Sequence, residues 1–196
     1  LAGGGIMAAE LAELVQAVAE ARAGKPRLFI ERYLKVQDEE GQIVPFRFKE
    51  NQEYYYRETF GRGRGYREGM YVHCVKARKA YSTKFWQAVG FAYRCCVPGF
   101  KMVVVIDSEK NLKEVLETDD LFYNNMSEEI RPAKDHWDTE FRTFRFAGAA
   151  SGQATSSLEL SSVKSENFMR GGTPKLVLKT EVAFFDKGAD EKLNDA

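Results

Sequence analysis

The segment "MYVHCVKARKAYSTKFWQAVGFAYRC" at residues 70–95 runs from an apolar stretch through a short basic loop into a helical pattern entered at Ser82-Thr83. A strand, a tight turn and a helix start bearing hydroxyls is how α/β folds present backbone N–H groups and a positive dipole end to an anion. Lys76, Arg78, Lys79, Ser82 and Thr83 are therefore the candidate phosphate-contacting residues. The loop has no glycine between Val75 and Thr83, although glycine adopts the unusual φ/ψ of a phosphate-wrapping loop at least cost. The plainer reading makes Ser82 and Thr83 a helix cap and the basic run a solvated loop.

The flanking sequence decides how this segment is housed. "KMVVVID" at 101–107 is a continuous β-branched run of the kind buried on both faces of a parallel sheet. Ser108 then caps a helix over "EKNLKEVLE", residues 109–117. Strand, loop, helix, strand, helix is the βαβ grammar of an α/β sheet. Upstream, residues 7–23 predict an amphipathic helix with acids early and Arg22 late, stopped by Gly24 and Pro26. Residues 43–48 read as extended, and "KENQEYYYRETF" at 49–60 as a helix with three tyrosines. "GRGRGYREG" at 61–69 is a basic loop; its glycines precede a strand, so it is not a dinucleotide fingerprint. Downstream, "FRTFRF" at 141–146 and "LELSSV" at 158–163 alternate as strands around a small-residue loop at 147–157, and "KLVLK" at 175–179 is a further strand that leads to Thr180-Glu181. Phe85, Trp86 and Tyr93 recur at helical spacing and read as core.

Composition narrows the class. A chain of 196 residues with 44% hydrophobic and 30% charged residues is long enough for one domain with a real core, and no apolar run approaches the ~20 residues of a membrane span. Lys+Arg and Asp+Glu are equal at 29 each, so net charge argues for neither nucleic acid nor a membrane. Charge is uneven locally: between Arg57 and Lys84 eight basic residues stand against Glu58 and Glu68. Arg62, Arg64 and Arg67 in that stretch are candidate contacts to DNA phosphates, with a solvated loop as the plainer reading. Cys74, Cys95 and Cys96 have no metal-ligand spacing with His73 or His136, so buried reduced thiols are expected. Residues 1–6 read as the remnant of an expression tag ahead of Met7.

Two strand ends carry the candidate chemistry, because ligands of open α/β sheets bind at carboxyl ends of strands. One bears the basic, hydroxyl-rich loop and the other bears Glu181. Cations for phosphates, a hydroxyl for Mg²⁺ and an acid to orient water are the parts that nucleotide hydrolysis uses.

The order "VPFRFKENQ", "VKARKAYSTKFW" and "FMRGGTPKLVLKTEVAFF" resembles the N-terminal ATPase domain of the large terminase subunit, the DNA-packaging motor of tailed phages, over roughly residues 28–190. The resemblance implies a P-loop NTPase-like three-layer α/β sandwich with a mostly parallel central sheet and a helical N-terminal extension, 7–48 being that extension and 49–196 the ATPase core. It places Gln52 on adenine, Lys76, Arg78, Lys79, Ser82 and Thr83 on the phosphates of ATP, Ser82 or Thr83 on Mg²⁺, and Glu181 on the attacking water. Arg170 or another loop arginine would reach a neighbouring subunit's γ-phosphate. The implied partners are double-stranded DNA, the portal protein, the small terminase subunit and copies of the chain in a homo-oligomeric ring, with a monomer possible in isolation, all in the cytoplasm of the infected bacterial host. The nuclease domain of such subunits is not among these residues. The family loop has a glycine and one more residue where this chain runs Lys79-Ala80-Tyr81. That shortening supports the rival expectation: a non-catalytic variant that keeps the fold and binds DNA or partner subunits without nucleotide.

Overall fold

The computed structural model describes residues 8–61, 82–106, 109–139, 141–145, 155–162 and 173–179. Helix α1 (Ala8–Arg22) ends as expected. Gly24 adopts φ 84°, the Lys25 N–H bonds Glu20 O and the Gly24 N–H bonds Ala21 O, which together form a Schellman stop. Helix α2 (Arg27–Tyr33) follows and was not legible in the sequence. A two-stranded antiparallel hairpin, β1 (Lys35–Gln37) and β2 (Ile43–Pro45), comes next. Its turn is built by Asp38, whose carboxylate accepts the N–H groups of Glu40 and Gln42, and by Gly41 at φ 84°. The segment read as a helical extension therefore also contains a hairpin.

Helix α3 (Glu50–Phe60) lies where the sequence places it. Helix α4 (Ser82–Cys96) carries Ser82 and Thr83 in the first turn that the described residues show. Phe85, Trp86 and Tyr93 are buried, as their spacing predicts. After a turn with Gly99 at φ 72° comes strand β3 (Lys101–Ile106). Helix α5 (Glu109–Asn124) continues past the expected residue 117, because Leu121 and Phe122 extend its apolar face into the core.

A five-stranded sheet has the order β4-β5-β6-β3-β7, with β4 (Ala133–Trp137), β5 (Phe141–Arg145), β6 (Thr155–Ser162) and β7 (Leu176–Lys179). β6, β3 and β7 run parallel; β5 pairs antiparallel with β6, and β4 antiparallel with β5. The fold is thus mixed α/β with a mixed five-stranded sheet among the described residues. β6 begins at Thr155, inside the stretch expected to be loop, because Ser156 is drawn into the core, where its hydroxyl donates to Val97 O and accepts the Phe100 N–H.

Helices α4 and α5 cover one face of the sheet. Phe91 of α4 meets Phe122 of α5 at 5.5 Å and Phe144 of β5 at 5.6 Å between ring centroids. Met102, Val104 and Ile106 of β3 join Leu158 and Leu160 of β6 in the same core. Val103 and Val105, which point the other way, are also buried, so β3 is covered on both faces, as its unbroken apolar run requires. Each of these fully buried side chains contributes about 1.5–3 kcal/mol relative to exposure. Among the described residues no helix is long and apolar enough to cross a membrane.

Candidate functional site

The four-residue turn between Cys96 and Lys101 sends the chain back on itself, so α4 runs antiparallel to β3. Gly90 marks the register: it lies against Met102 and Leu176, paired residues at the starts of β3 and β7. Ser82 stands eight residues up the helix from Gly90, about 12 Å at 1.5 Å per residue. Ile106 stands four residues along β3 from Met102, about 13 Å at 3.3 Å per residue. The first turn of α4 is therefore level with the carboxyl ends of the parallel strands, the side on which ligands of such sheets bind.

Helix α3 is docked on this same end of α4. Phe85 meets Phe48 at 5.3 Å and Tyr55 at 6.1 Å, and Trp86 meets Phe60 at 6.2 Å. Tyr56 closes the cluster against Phe48 and Phe60, so two of the three tyrosines of α3 pack inward while Tyr54 is exposed. Arg27 fastens α2 to α3: its guanidinium donates to both carboxylate oxygens of Glu31 at 3.1 Å and to both of Glu53 at 2.6 and 2.8 Å. It also lies over the Phe48 ring at 5.0 Å. The hydrogen bonds to Glu31 head the causes that raise the Arg27 pKa, and burial raises that of Tyr56.

Gln52 sits in the first turn of α3, buried at 3% exposure. Its Oε1 accepts the Lys49 N–H at 3.0 Å, the side-chain half of a capping box that meets one of the unpaired donors at the helix start. Ser82 is likewise buried at 3%, and Thr83 is half-buried. The structure thus brings the element carrying Gln52 against the helix whose first turn carries Ser82 and Thr83. Lys76, Arg78, Lys79, Arg62, Arg64, Arg67, Arg170 and Glu181 lie outside the described residues. β7 ends at Lys179, two positions before Glu181.

A cleft of about 400 Å³ opens beside the first turn of α4, between Lys84, β1 and α5. Gln37, Glu114 and Glu117 rim it, and Phe122 and Leu121 form its apolar floor. Among the described residues no group of three His, Cys, Asp or Glu side chains could hold a metal ion. Of the three cysteines expected to be buried reduced thiols, Cys96 is buried and Cys95 half-buried, both free, while Cys74 lies outside the described residues. Burial pushes Cys96 up to about 12 and Cys95 well above the ordinary thiol value, so neither of these two is a nucleophile at neutral pH.

Sequence reasoning missed a buried charge cluster toward the far end of α4, away from its first turn. Arg94 of α4 is fully buried and pairs with Asp119 of α5, its guanidinium lying 5.1 Å from both the Phe91 and Phe144 ring centroids. Asp119 also meets Arg142 of β5 at 3.4 Å. Arg142 in turn donates to Asp120 at 2.9 Å and to Leu116 O at 3.1 Å, and the Trp137 indole donates to the second oxygen of Asp120 at 3.0 Å. The available signal was one arginine in an apolar helix and an Asp-Asp pair on the inward face of another. No protein-family model matches the chain, and no curated protein is similar enough to it to serve as a relative.

Proposed function

We propose that the chain is the ATPase domain of a terminase-type motor that couples ATP hydrolysis to translocation of double-stranded DNA into a viral procapsid. The observation that carries the proposal is the convergence at one sheet edge. Helix α3, which bears Gln52, packs on the N-terminal part of α4, which bears Ser82 and Thr83. The rise of α4 from Gly90 brings that part level with the carboxyl ends of parallel β3 and β7, the latter leading in sequence toward Glu181. On this reading the mixed sheet belongs to a P-loop NTPase-like three-layer sandwich with a mostly parallel central sheet. Burial of Val103 and Val105 on the face opposite α4 supports the third layer.

The roles follow from chemistry. Lys76, Arg78 and Lys79 neutralise the phosphates, and the α4 N-terminus adds its dipole. A hydroxyl in the first turn of that helix suits Mg²⁺, a hard cation that keeps several waters and needs few protein oxygens, so Ser82 or Thr83 would hold it and the ion would draw charge from the phosphate oxygens. Glu181 orients and polarises the attacking water, Arg170 stabilises developing charge at a neighbour's site, and Gln52 reads adenine. Arg62, Arg64 and Arg67 contact DNA phosphates. The partners are the portal protein, the small subunit and further copies in a ring, in the infected host's cytoplasm.

Calorimetric titration with Mg²⁺ and a non-hydrolysable ATP analogue, beside Lys76→Ala, tests the reading. Saturable binding that Lys76→Ala abolishes is expected. No heat at millimolar nucleotide overturns it in favour of the second reading, a non-catalytic variant, which the glycine-free loop from Val75 to Thr83 favours.

A further inference from the structure

Gly90 sits in the middle of α4, where glycine weakens a helix by about 1 kcal/mol relative to alanine, so something must require it. Space does. A Cβ built on Gly90 would stand 2.1 Å from Met102 Sδ, 2.8 Å from Met102 Cε and 3.1 Å from Leu176 Cδ2. Both contacts under 3.0 Å are with the flexible end of Met102, which is 2% exposed, so the clash is relieved either by a new rotamer of the thioether or by movement of α4, and close-packed interiors pass such displacement on. Gly90 is the one glycine of α4, and the space its side chain would fill is taken from both strands, by Met102 of β3 and Leu176 of β7.

We infer that Gly90 is a positioning residue for the nucleotide site: the missing side chain sets the height of α4 over β3 and β7, and so places the Ser82–Thr83 turn against the strand ends. The inference rests on the proposed nucleotide-binding function. The lever is direct. One helix, about 12 Å of it by the rise per residue, joins the contact to the hydroxyls, and a bound group must be held to within about 0.5 Å for productive geometry. A Cβ that needs more than an ångström of clearance exceeds that tolerance unless the strand side gives way.

The test compares wild type, Gly90→Ala, Met102→Ala, the double variant, Met102→Leu and Leu176→Phe, by titration with Mg²⁺ and a non-hydrolysable ATP analogue well below each variant's melting temperature. Gly90→Ala is expected to raise Kd about tenfold or more, and Met102→Ala in the same chain, which removes the Sδ and Cε that the new Cβ strikes, restores Kd to within about threefold of Met102→Ala alone. Met102→Leu, close in volume and with no Cβ at residue 90 to strike it, is the control for change at residue 102 and is expected to bind within about threefold of wild type. Leu176→Phe, which crowds the same gap from β7, is expected to weaken binding severalfold and serves where Gly90→Ala does not fold. A Gly90→Ala protein that melts lower yet binds within twofold of wild type overturns the inference, since that is the signature of a purely structural glycine. So does a double variant that binds as weakly as Gly90→Ala. Wild type that binds no nucleotide overturns the motor assignment itself, a result separable from the other two.

Discussion

Arg94 and Asp119 make an asymmetric pair, and the asymmetry sets the outcome of breaking it. Asp119 has two cationic partners, Arg94 and Arg142. Arg142 has others, namely Asp120 and Leu116 O. Arg94 depends on Asp119: among the described residues its Nε and Nη1 have no hydrogen-bond partner, and its guanidinium lies over two ring faces. Asp119→Leu, similar in volume but without charge or acceptor, leaves a guanidinium fully buried and unpaired, and removing one partner of a buried pair costs about 3–5 kcal/mol. For a chain of this length that is a fall in Tm of about 6–20 °C. Arg94→Met removes the dependent partner instead. Asp119 keeps Arg142, the thioether packs between the two rings, and hydrophobic replacement of buried ions is often neutral or stabilising, so a change within about 1.5 kcal/mol is expected. The double variant should recover most of the Asp119→Leu loss, a coupling of about 2–3 kcal/mol. Urea denaturation of the four proteins measures all of this. An Asp119→Leu cost below about 1 kcal/mol, or an Arg94→Met cost above that of Asp119→Leu, refutes the reasoning.

Arg27→Ala should cost about 1–2 kcal/mol, partly salt-sensitive because the side chain is 39% exposed, and should loosen α3, read as faster hydrogen exchange of its amides. Gly24→Ala places a side chain at φ 84° and should cost about 1 kcal/mol in thermal denaturation. The Cys96 thiol has an ordinary value of 9.0 and is held at about 12 in the fold. Its contribution to stability is therefore complete below pH 9 and lost progressively as pH rises from 9 to 12, since the unfolded thiol ionises first. Cys96→Val should flatten that alkaline loss in denaturation curves, and in a Cys74→Ser background Ellman's reagent should label the native protein slowly and the unfolded protein at once.

What was legible in the sequence was what apolar periodicity and punctuation encode. β3 showed itself as an unbroken β-branched run, α4 as a helix with Phe85, Trp86 and Tyr93 at helical spacing, and the end of α1 as Gly24 and Pro26. The missed elements share a different physics. β4, "AKDHW", is a mostly exposed edge strand whose charges discourage edge-to-edge pairing and erase the alternation that would have revealed it. α2 is a short helix held by tertiary contacts, Phe29 and Ile30 in the core and Arg27 on Glu53, rather than by its own propensity. β5 was legible as an alternating strand at 141–146; what escaped was its antiparallel pairing with β6 and with β4, since no local pattern records the direction in which a strand pairs. At the candidate site, Gln52 could be singled out only by resemblance, because its spacing alone says no more than surface residue of a tyrosine-rich helix. The Arg94 cluster is written across three elements distant in sequence, and no local pattern joins them.

Gln52 tests whether a cap and a base contact can share one amide. A side-chain amide has two acceptor sites on its oxygen and two donors on its nitrogen, so the one capping bond, from the Lys49 N–H to Oε1, does not by itself exhaust its capacity to pair with a base edge. The cap would then fix the amide's orientation, which is what discrimination between purines requires. Gln52→Glu separates the two functions. A carboxylate at the start of α3 still accepts the Lys49 N–H and is favoured by the helix dipole, so the cap persists, but the donor is gone and the base edge no longer matches. The expected result is a Tm no lower than that of Gln52→Ala, which should lose about 1 kcal/mol with the cap, together with collapse of a preference for the ATP over the GTP analogue. If Gln52→Glu keeps wild-type stability and wild-type preference alike, Gln52 is a cap and nothing more, and the adenine contact must be sought elsewhere around the Phe48, Tyr55 and Phe85 cluster.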